Sequence, residues 1–135
     1  YDVIPEAVRG KIILLVDDTI VRGETSSRII KGLREFGAEE VHLLVSVPPI
    51  KYGCCYAVDF FTEELIVEKC KNQRLEEFVA KEIGANSVIY PSLEGLIRAT
   101  GFSKNELCLA CLTGEYPTKC GKKIEGRIRD AKNKK

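Results

Sequence analysis

The sequence predicts an α/β fold, a parallel sheet with flanking helices, and three observations carry that prediction. A wholly apolar run, Ile12–Val16, ends at two aspartates. A helical pattern follows after a short loop, and a second apolar run, Val41–Val47, closes a β-α-β unit. At 135 residues with 44% apolar content, the chain suffices for one compact domain with a core and is too short for two ordinary ones.

Each element has its own justification. Ile12–Val16 is short and rich in branched residues, which suits a strand buried on both faces. Ile29, Ile30, Leu33 and Phe36 recur at helical spacing, with Thr25, Ser26 and Ser27 available to cap the start and Gly37 to stop it. Val41–Val47 reads as a second strand ended by Pro48 and Pro49, and a right-handed crossover is expected between the two strands. Leu75, Phe78, Val79 and Ile83 mark a helix closed by Gly84, Ser87–Tyr90 a short third strand, and Leu93, Leu96 and Ile97 another helix. From Gly101 onward the pattern becomes a loop carrying Cys108 and Cys111. The domain reading is thus 1–118, followed by a basic tail, 119–135, helical or frayed.

The formal charge of +1 gives no global drive toward nucleic acid or an anionic membrane. Thr118–Lys135 nevertheless holds eight Lys or Arg against two Asp or Glu, which reads first as a solvated helix or a frayed end. No apolar stretch has the length to span a bilayer, and no signal core opens the chain, so a cytoplasmic protein is expected. The chain contains no methionine, so Tyr1 is expected to be a cut or an internal starting point, with any upstream catalytic group out of view.

Asp17 and Asp18 stand at the C-terminal end of a predicted strand, the edge where open α/β sheets place their ligands. Behind them Thr19, Ile20, Val21, Arg22, Gly23, Glu24 and Thr25 lead into a helix, so backbone N–H groups and a helix N-terminus converge on one spot. An anion fits there, with Gly23 allowing close approach and the hydroxyls of Thr19 and Thr25 donating to it. Carboxylates beside a phosphate repel it unless they face ribose hydroxyls or a divalent cation. A sugar phosphate with magnesium on Asp17 and Asp18 satisfies all the parts, whereas an acidic turn before an ordinary helix would explain a lone aspartate pair.

The segment LLVDDTIVRGETS closely resembles the phosphoribosyl-pyrophosphate (PRPP) motif of type I phosphoribosyltransferases, a Rossmann-like fold that this chain would contain in part. The form DD-[ST]-IVRG is that of the glutamine PRPP amidotransferase family. Pro48–Asp59 (PPIKYGCCYAVD), Ser87–Gly101 and Cys108–Thr118 (CLACLTGEYPT) are similar to the same family in order along the chain. The resemblance implies that Asp17 and Asp18 bind ribose hydroxyls and magnesium, and that Thr19–Thr25 cradle the 5′-phosphate. Glu24 departs from the family pattern, which has threonine between Gly23 and Thr25.

The six cysteines, at 54, 55, 70, 108, 111 and 120, are expected as metal ligands or small buried residues rather than disulfides. Cys108-x-x-Cys111 alone fits a zinc site or a thiol redox pair. The family resemblance implies a 4Fe-4S cluster on Cys54, Cys108 and Cys111, its fourth cysteine upstream of this chain. Zinc with Cys120 or Cys55 as the fourth thiolate, and a metal-free reduced set, are the alternatives. Cys70 and the single histidine, His42, read as structural.

By the same resemblance the function is that of an amidophosphoribosyltransferase. A separate N-terminal glutaminase domain releases ammonia from glutamine, and the transferase domain adds it to C1 of PRPP, giving 5-phosphoribosylamine for purine biosynthesis. No catalytic residue is assigned in this chain, which is expected to be inactive alone and, as half a sheet, to form homo-oligomers. A salvage phosphoribosyltransferase, a PRPP-binding regulatory module and a small cysteine metal-binding protein are the rival readings.

Overall fold

The computed structural model describes residues 3–56 and 64–132. Tyr1, Asp59 and the end of the basic tail therefore lie outside the described residues. Three strands, β1 (Ile12–Asp17), β2 (Glu40–Val45) and β3 (Ser87–Ile89), pair in parallel in the order β1-β2-β3. Helices α1 (Pro5–Val8), α2 (Glu24–Glu35), α3 (Leu75–Ile83), α4 (Leu93–Thr100), α5 (Ala110–Thr113) and α6 (Lys119–Lys132) complete the order. Two short 3-10 helices, Ile66–Lys69 and Lys104–Glu106, stand between them.

Period-two alternation decides which face of the sheet is buried. Val41, Leu43, Val45 and Val88 point to one side, where Ile30 and Leu33 of α2 and Phe78, Val79 and Ile83 of α3 cover them in the main core. The other side carries Ile12, Leu14 and Val16, exposed at 65%, 62% and 65%. The expectation that Ile12–Val16 is buried on both faces is corrected here. β1 lies at the edge of the three described strands, and α2 and α3 pack on the opposite face. In the middle of the open face His42 is held by Glu40 Oε2 and Ser87 Oγ, each at 2.8 Å, a structural setting for the lone histidine.

Helix boundaries follow local chemistry, with one correction. α2 begins at Glu24 after Gly23, and no side chain caps it, so Thr25, Ser26 and Ser27 lie inside the helix rather than before it. Gly37 (φ 90°) and Gly84 (φ 79°) take the left-handed backbone that ends α2 and α3. Ser92 caps α4 by accepting the Gly95 N–H at 3.0 Å. The region after Gly101, expected as a loop, contains α5, which puts Cys111 on a helical turn.

Candidate functional site

The site grows from the end of β1. Asp17 Oδ1 accepts the Asp18 N–H at 3.0 Å, and Asp18 Oδ1 accepts the Thr19 N–H at 2.6 Å, so each carboxylate fixes the turn that follows it. Ser46 N–H and Oγ donate to the Asp17 carbonyl at 3.0 and 3.1 Å, which joins the end of β1 to the end of β2. Ser26, only 3% exposed, donates from Oγ to Asp17 Oδ2 at 3.3 Å. This bond ties the first turn of α2 to the aspartate pair. By its sequence Ser26 reads as a cap; inside the helix, two positions past Glu24, it instead turns its hydroxyl inward.

Between these ties the loop is held from beneath. Ile20 is 3% exposed in the main core, and the Val21 carbonyl accepts the Ile66 N–H at 2.8 Å. Gly23 adopts φ 85°, and a Cβ there would lie 2.8 Å from Ile66 Cδ1 and 2.9 Å from Ile83 Cγ2. Glycine is thus required twice, by backbone sign and by space. The resulting cavity, about 400 Å³, is lined by the consecutive residues Asp17–Ser26. All nine residues expected from the sequence, Asp17 to Thr25, meet at this one cavity, with Ser26 as the addition.

The chemistry of the lining is mixed in the way a sugar phosphate needs. Asp18 is exposed at the mouth, and the first turn of α2 presents its N-terminus. Thr19 Oγ1 is buried with no hydrogen-bond partner among the described residues, an orphaned polar atom that a ligand oxygen in the cavity can satisfy. Two carboxylates on one loop also fit magnesium, which takes one or two carboxylates and completes its shell with water and substrate phosphate.

A second apolar cluster connects this loop to the cysteines. Ile50 and Leu65 form its buried centre, and Val21 of the loop packs against them together with Cys54, Cys111 and Leu112. The two cysteine-bearing segments are hydrogen-bonded to each other directly. Lys51 and Tyr52 N–H groups donate to the Cys111 carbonyl at 2.9 and 3.0 Å, and Tyr116 Oη donates to the Gly53 carbonyl at 2.6 Å. Burial pushes the Cys111 thiol up, with Cys54 and Cys108 near enough to add to the shift. Burial does the same to Cys55, with smaller contributions from Cys54 and Cys120. Cys70 stays apart, its thiol 3.6 Å from the Gln73 carbonyl just after the 3-10 helix. Among the described residues, no three His, Cys, Asp or Glu side chains stand close enough to hold a single metal ion.

Tyr116 makes the clamp between these segments measurable. It is 3% exposed, and burial, followed by the Cys55 thiol, pushes its phenol up to about 12. A folded value above the ordinary 10 means that its stabilisation is full below pH 10 and is lost as pH rises toward 12. Tyr116→Phe is expected to cost about 1 kcal/mol at neutral pH through the lost hydrogen bond. In urea denaturation the gap between parent and variant should narrow above about pH 10. A gap that stays constant to that pH and beyond would contradict this account.

The fold and the loop together define the class: a type I phosphoribosyltransferase-like α/β sheet, with a carboxylate pair and a helix start at the C-terminal edge of its strands. Comparison narrows this further. No family model matches the chain. The sequence matches a segment of the amidophosphoribosyltransferases: it is 45% identical over 125 residues to that of Methanocaldococcus jannaschii, covering 92% of this chain and 26% of the relative. It is 44% identical over 115 residues to the Bacillus subtilis protein (82% and 24%) and 41% over 144 residues to the human one (87% and 27%). The solved B. subtilis glutamine PRPP amidotransferase, complexed with ADP and GMP, superposes with a TM-score of 0.76 at 44% identity, covering 86% of this chain and 26% of that one. The chain thus spans about a quarter of the length of the relatives it matches. No helix among the described residues is long and apolar enough to cross a membrane.

Proposed function

We propose that this chain is the part of an amidophosphoribosyltransferase that holds the ribose 5-phosphate of PRPP. In this reading the full-length cytoplasmic enzyme joins PRPP to ammonia released from glutamine by an N-terminal glutaminase domain, forming 5-phosphoribosylamine in the first step of purine biosynthesis. The observation that carries the proposal is the cavity formed by Asp17–Ser26, in which two aspartates, an unpartnered Thr19 hydroxyl and a helix N-terminus converge.

The geometry supports a division of labour. Asp17 and Asp18 accept ribose hydroxyls, and their order is preset by the bonds to Asp18 N–H, Thr19 N–H and Ser26 Oγ. N–H groups from Arg22 to Thr25 and the hydroxyls of Thr19 and Thr25 take the 5′-phosphate. A ribose fixed at both ends leaves C1 to develop positive charge as pyrophosphate departs. Magnesium, when bound, neutralises phosphate charge. The domain would comprise residues 1–118, with the basic tail 119–135 outside it.

Cys54, Cys108 and Cys111 suit a 4Fe-4S cluster completed by a cysteine from the rest of the parent protein. A cubane takes four cysteine thiolates, and Cys54 and Cys111 already pack on one apolar cluster, with Cys54 and Cys108 near enough to raise the Cys111 thiol. The exposed row Ile12, Leu14 and Val16 asks for cover, which homo-oligomers or the remainder of the transferase domain would provide.

The test is a titration of the nitrogen-15-labelled chain with ribose 5-phosphate and then PRPP, with magnesium. Saturable shifts should be confined to amides of Thr19–Thr25 and should vanish in Asp17→Asn. A folded chain without shifts at about millimolar ligand, the weak end of specific affinities, would sink the proposal.

A further inference from the structure

We propose that Glu24 sets the strength of the phosphate site, and that Arg22 is a positioning residue that holds the Glu24 carboxylate away from the bound anion. This rests on the sugar-phosphate reading given above. Glu24 is the first residue of α2 and lines the cavity with Asp17, Asp18 and Arg22, three acidic residues to one basic. A phosphate dianion therefore enters a wall with an excess of two negative charges. Asp17 and Asp18 are held to the turn by their hydrogen bonds, whereas the Glu24 side chain is 72% exposed and, among the described residues, pairs with Arg22, whose Nη1 lies 3.9 Å from its Oε1.

The geometry gives that carboxylate somewhere to go. Arg22 and Glu24 also line a second cavity, about 300 Å³, with Glu64 and Lys69 on its other walls and Lys69 Nζ 3.9 Å from Glu64 Oε2. Toward this cavity Glu24 meets Arg22 and Lys69, with Glu64 the one opposing carboxylate; toward the first it meets the phosphate. The backbone N–H of Glu24 serves the helix N-terminus whatever side chain the residue carries. The carboxylate is therefore a separable brake on the site, and Arg22 determines how hard it acts.

The competing role for an acidic residue at this position is to stabilise the start of α2. That role predicts lower stability for Glu24→Gln and no gain in binding. A unit charge at about 4 Å in water changes an equilibrium about fivefold. A sugar phosphate passes from monoanion to dianion near pH 6, so repulsion by Glu24 grows above that pH. Asp17, Asp18, Glu64 and Lys69 surround residue 24 in every variant, and Arg22 in the parent and both single Glu24 variants, so comparison of the parent with Glu24→Gln isolates the contribution of Glu24.

The experiment titrates the full chain with ribose 5-phosphate and magnesium, above and below pH 6, in the parent, Glu24→Gln, Glu24→Thr, Arg22→Gln and the double variant Arg22→Gln/Glu24→Gln. Both Glu24 variants should bind more than about fivefold tighter at the higher pH, where the phosphate is a dianion, and about fivefold or less at the lower one. Arg22→Gln should weaken binding when Glu24 is present and have little effect when it is neutralised. Equal affinity in parent and Glu24 variants overturns the proposal alone, as does an Arg22→Gln loss of the same size in both backgrounds, which makes Arg22 a direct phosphate ligand. Failure of every variant to bind overturns the sugar-phosphate reading and this proposal with it.

Discussion

Gly23→Ala is expected to destabilise the chain by about 3 kcal/mol and to abolish ligand-dependent shifts in the loop from Thr19 to Thr25. Two penalties add. The first is the left-handed backbone at φ 85°, which any Cβ strains. The second is collision, because Ile66 Cδ1 and Ile83 Cγ2 would stand 2.8 and 2.9 Å from the new methyl. Ile83 is branched at Cβ and 2% exposed, so it has little freedom to yield. If the loop moves instead, the N-terminus of α2 leaves the cavity and binding goes with it. Urea denaturation and the ribose 5-phosphate titration read the two effects separately, and an alanine variant with parental values in both would refute the argument.

The phosphate loop is legible because its chemistry is local: two acids, a hydroxyl and a glycine between a strand and a helix all fall within ten residues. The brace beneath it is not legible. Ile66 sits in a 3-10 helix far along the chain, with no amphipathic period long enough to register. Nothing local says that its N–H will reach the Val21 carbonyl.

Ile12–Val16 shows a second kind of illegibility. An unbroken apolar run signals burial on both faces, but burial depends on which elements lie alongside. Among the described residues helices cover one face, and Ile12, Leu14 and Val16 remain exposed on the other. The run thus reports the surroundings its sequence is suited to. Ser26 fails in the opposite direction: its hydroxyl looks like a cap, but Gly23 precedes the helix and Ser26 turns inward to Asp17. The cysteines read as cluster ligands by family likeness, and the residues alone do not reveal the shared apolar centre that joins Cys54 and Cys111 to the phosphate loop.

That centre carries the second large effect. Leu65 is 2% exposed and, with Ile50, fills the space between Val21 of the phosphate loop and Cys54, Cys111 and Leu112 of the cysteine segments. Leu65→Ala should cost about 3 kcal/mol, since the polar ties around the cluster resist its collapse. Those ties are the Ile66 N–H to Val21, the Lys51 and Tyr52 N–H groups to Cys111, and the Tyr116 hydroxyl to Gly53. The loss is a large part of what a small domain has in hand. Because one side chain supports both regions, loosening should appear in both at once. Cys54 and Cys111 should alkylate faster, as burial no longer holds the Cys111 thiol up, and amides from Val21 to Thr25 should lose exchange protection. Faster alkylation without any change in the loop amides would show that the cluster is two independent contacts, and that thiol chemistry at Cys54 and Cys111 does not reach the phosphate site through Leu65.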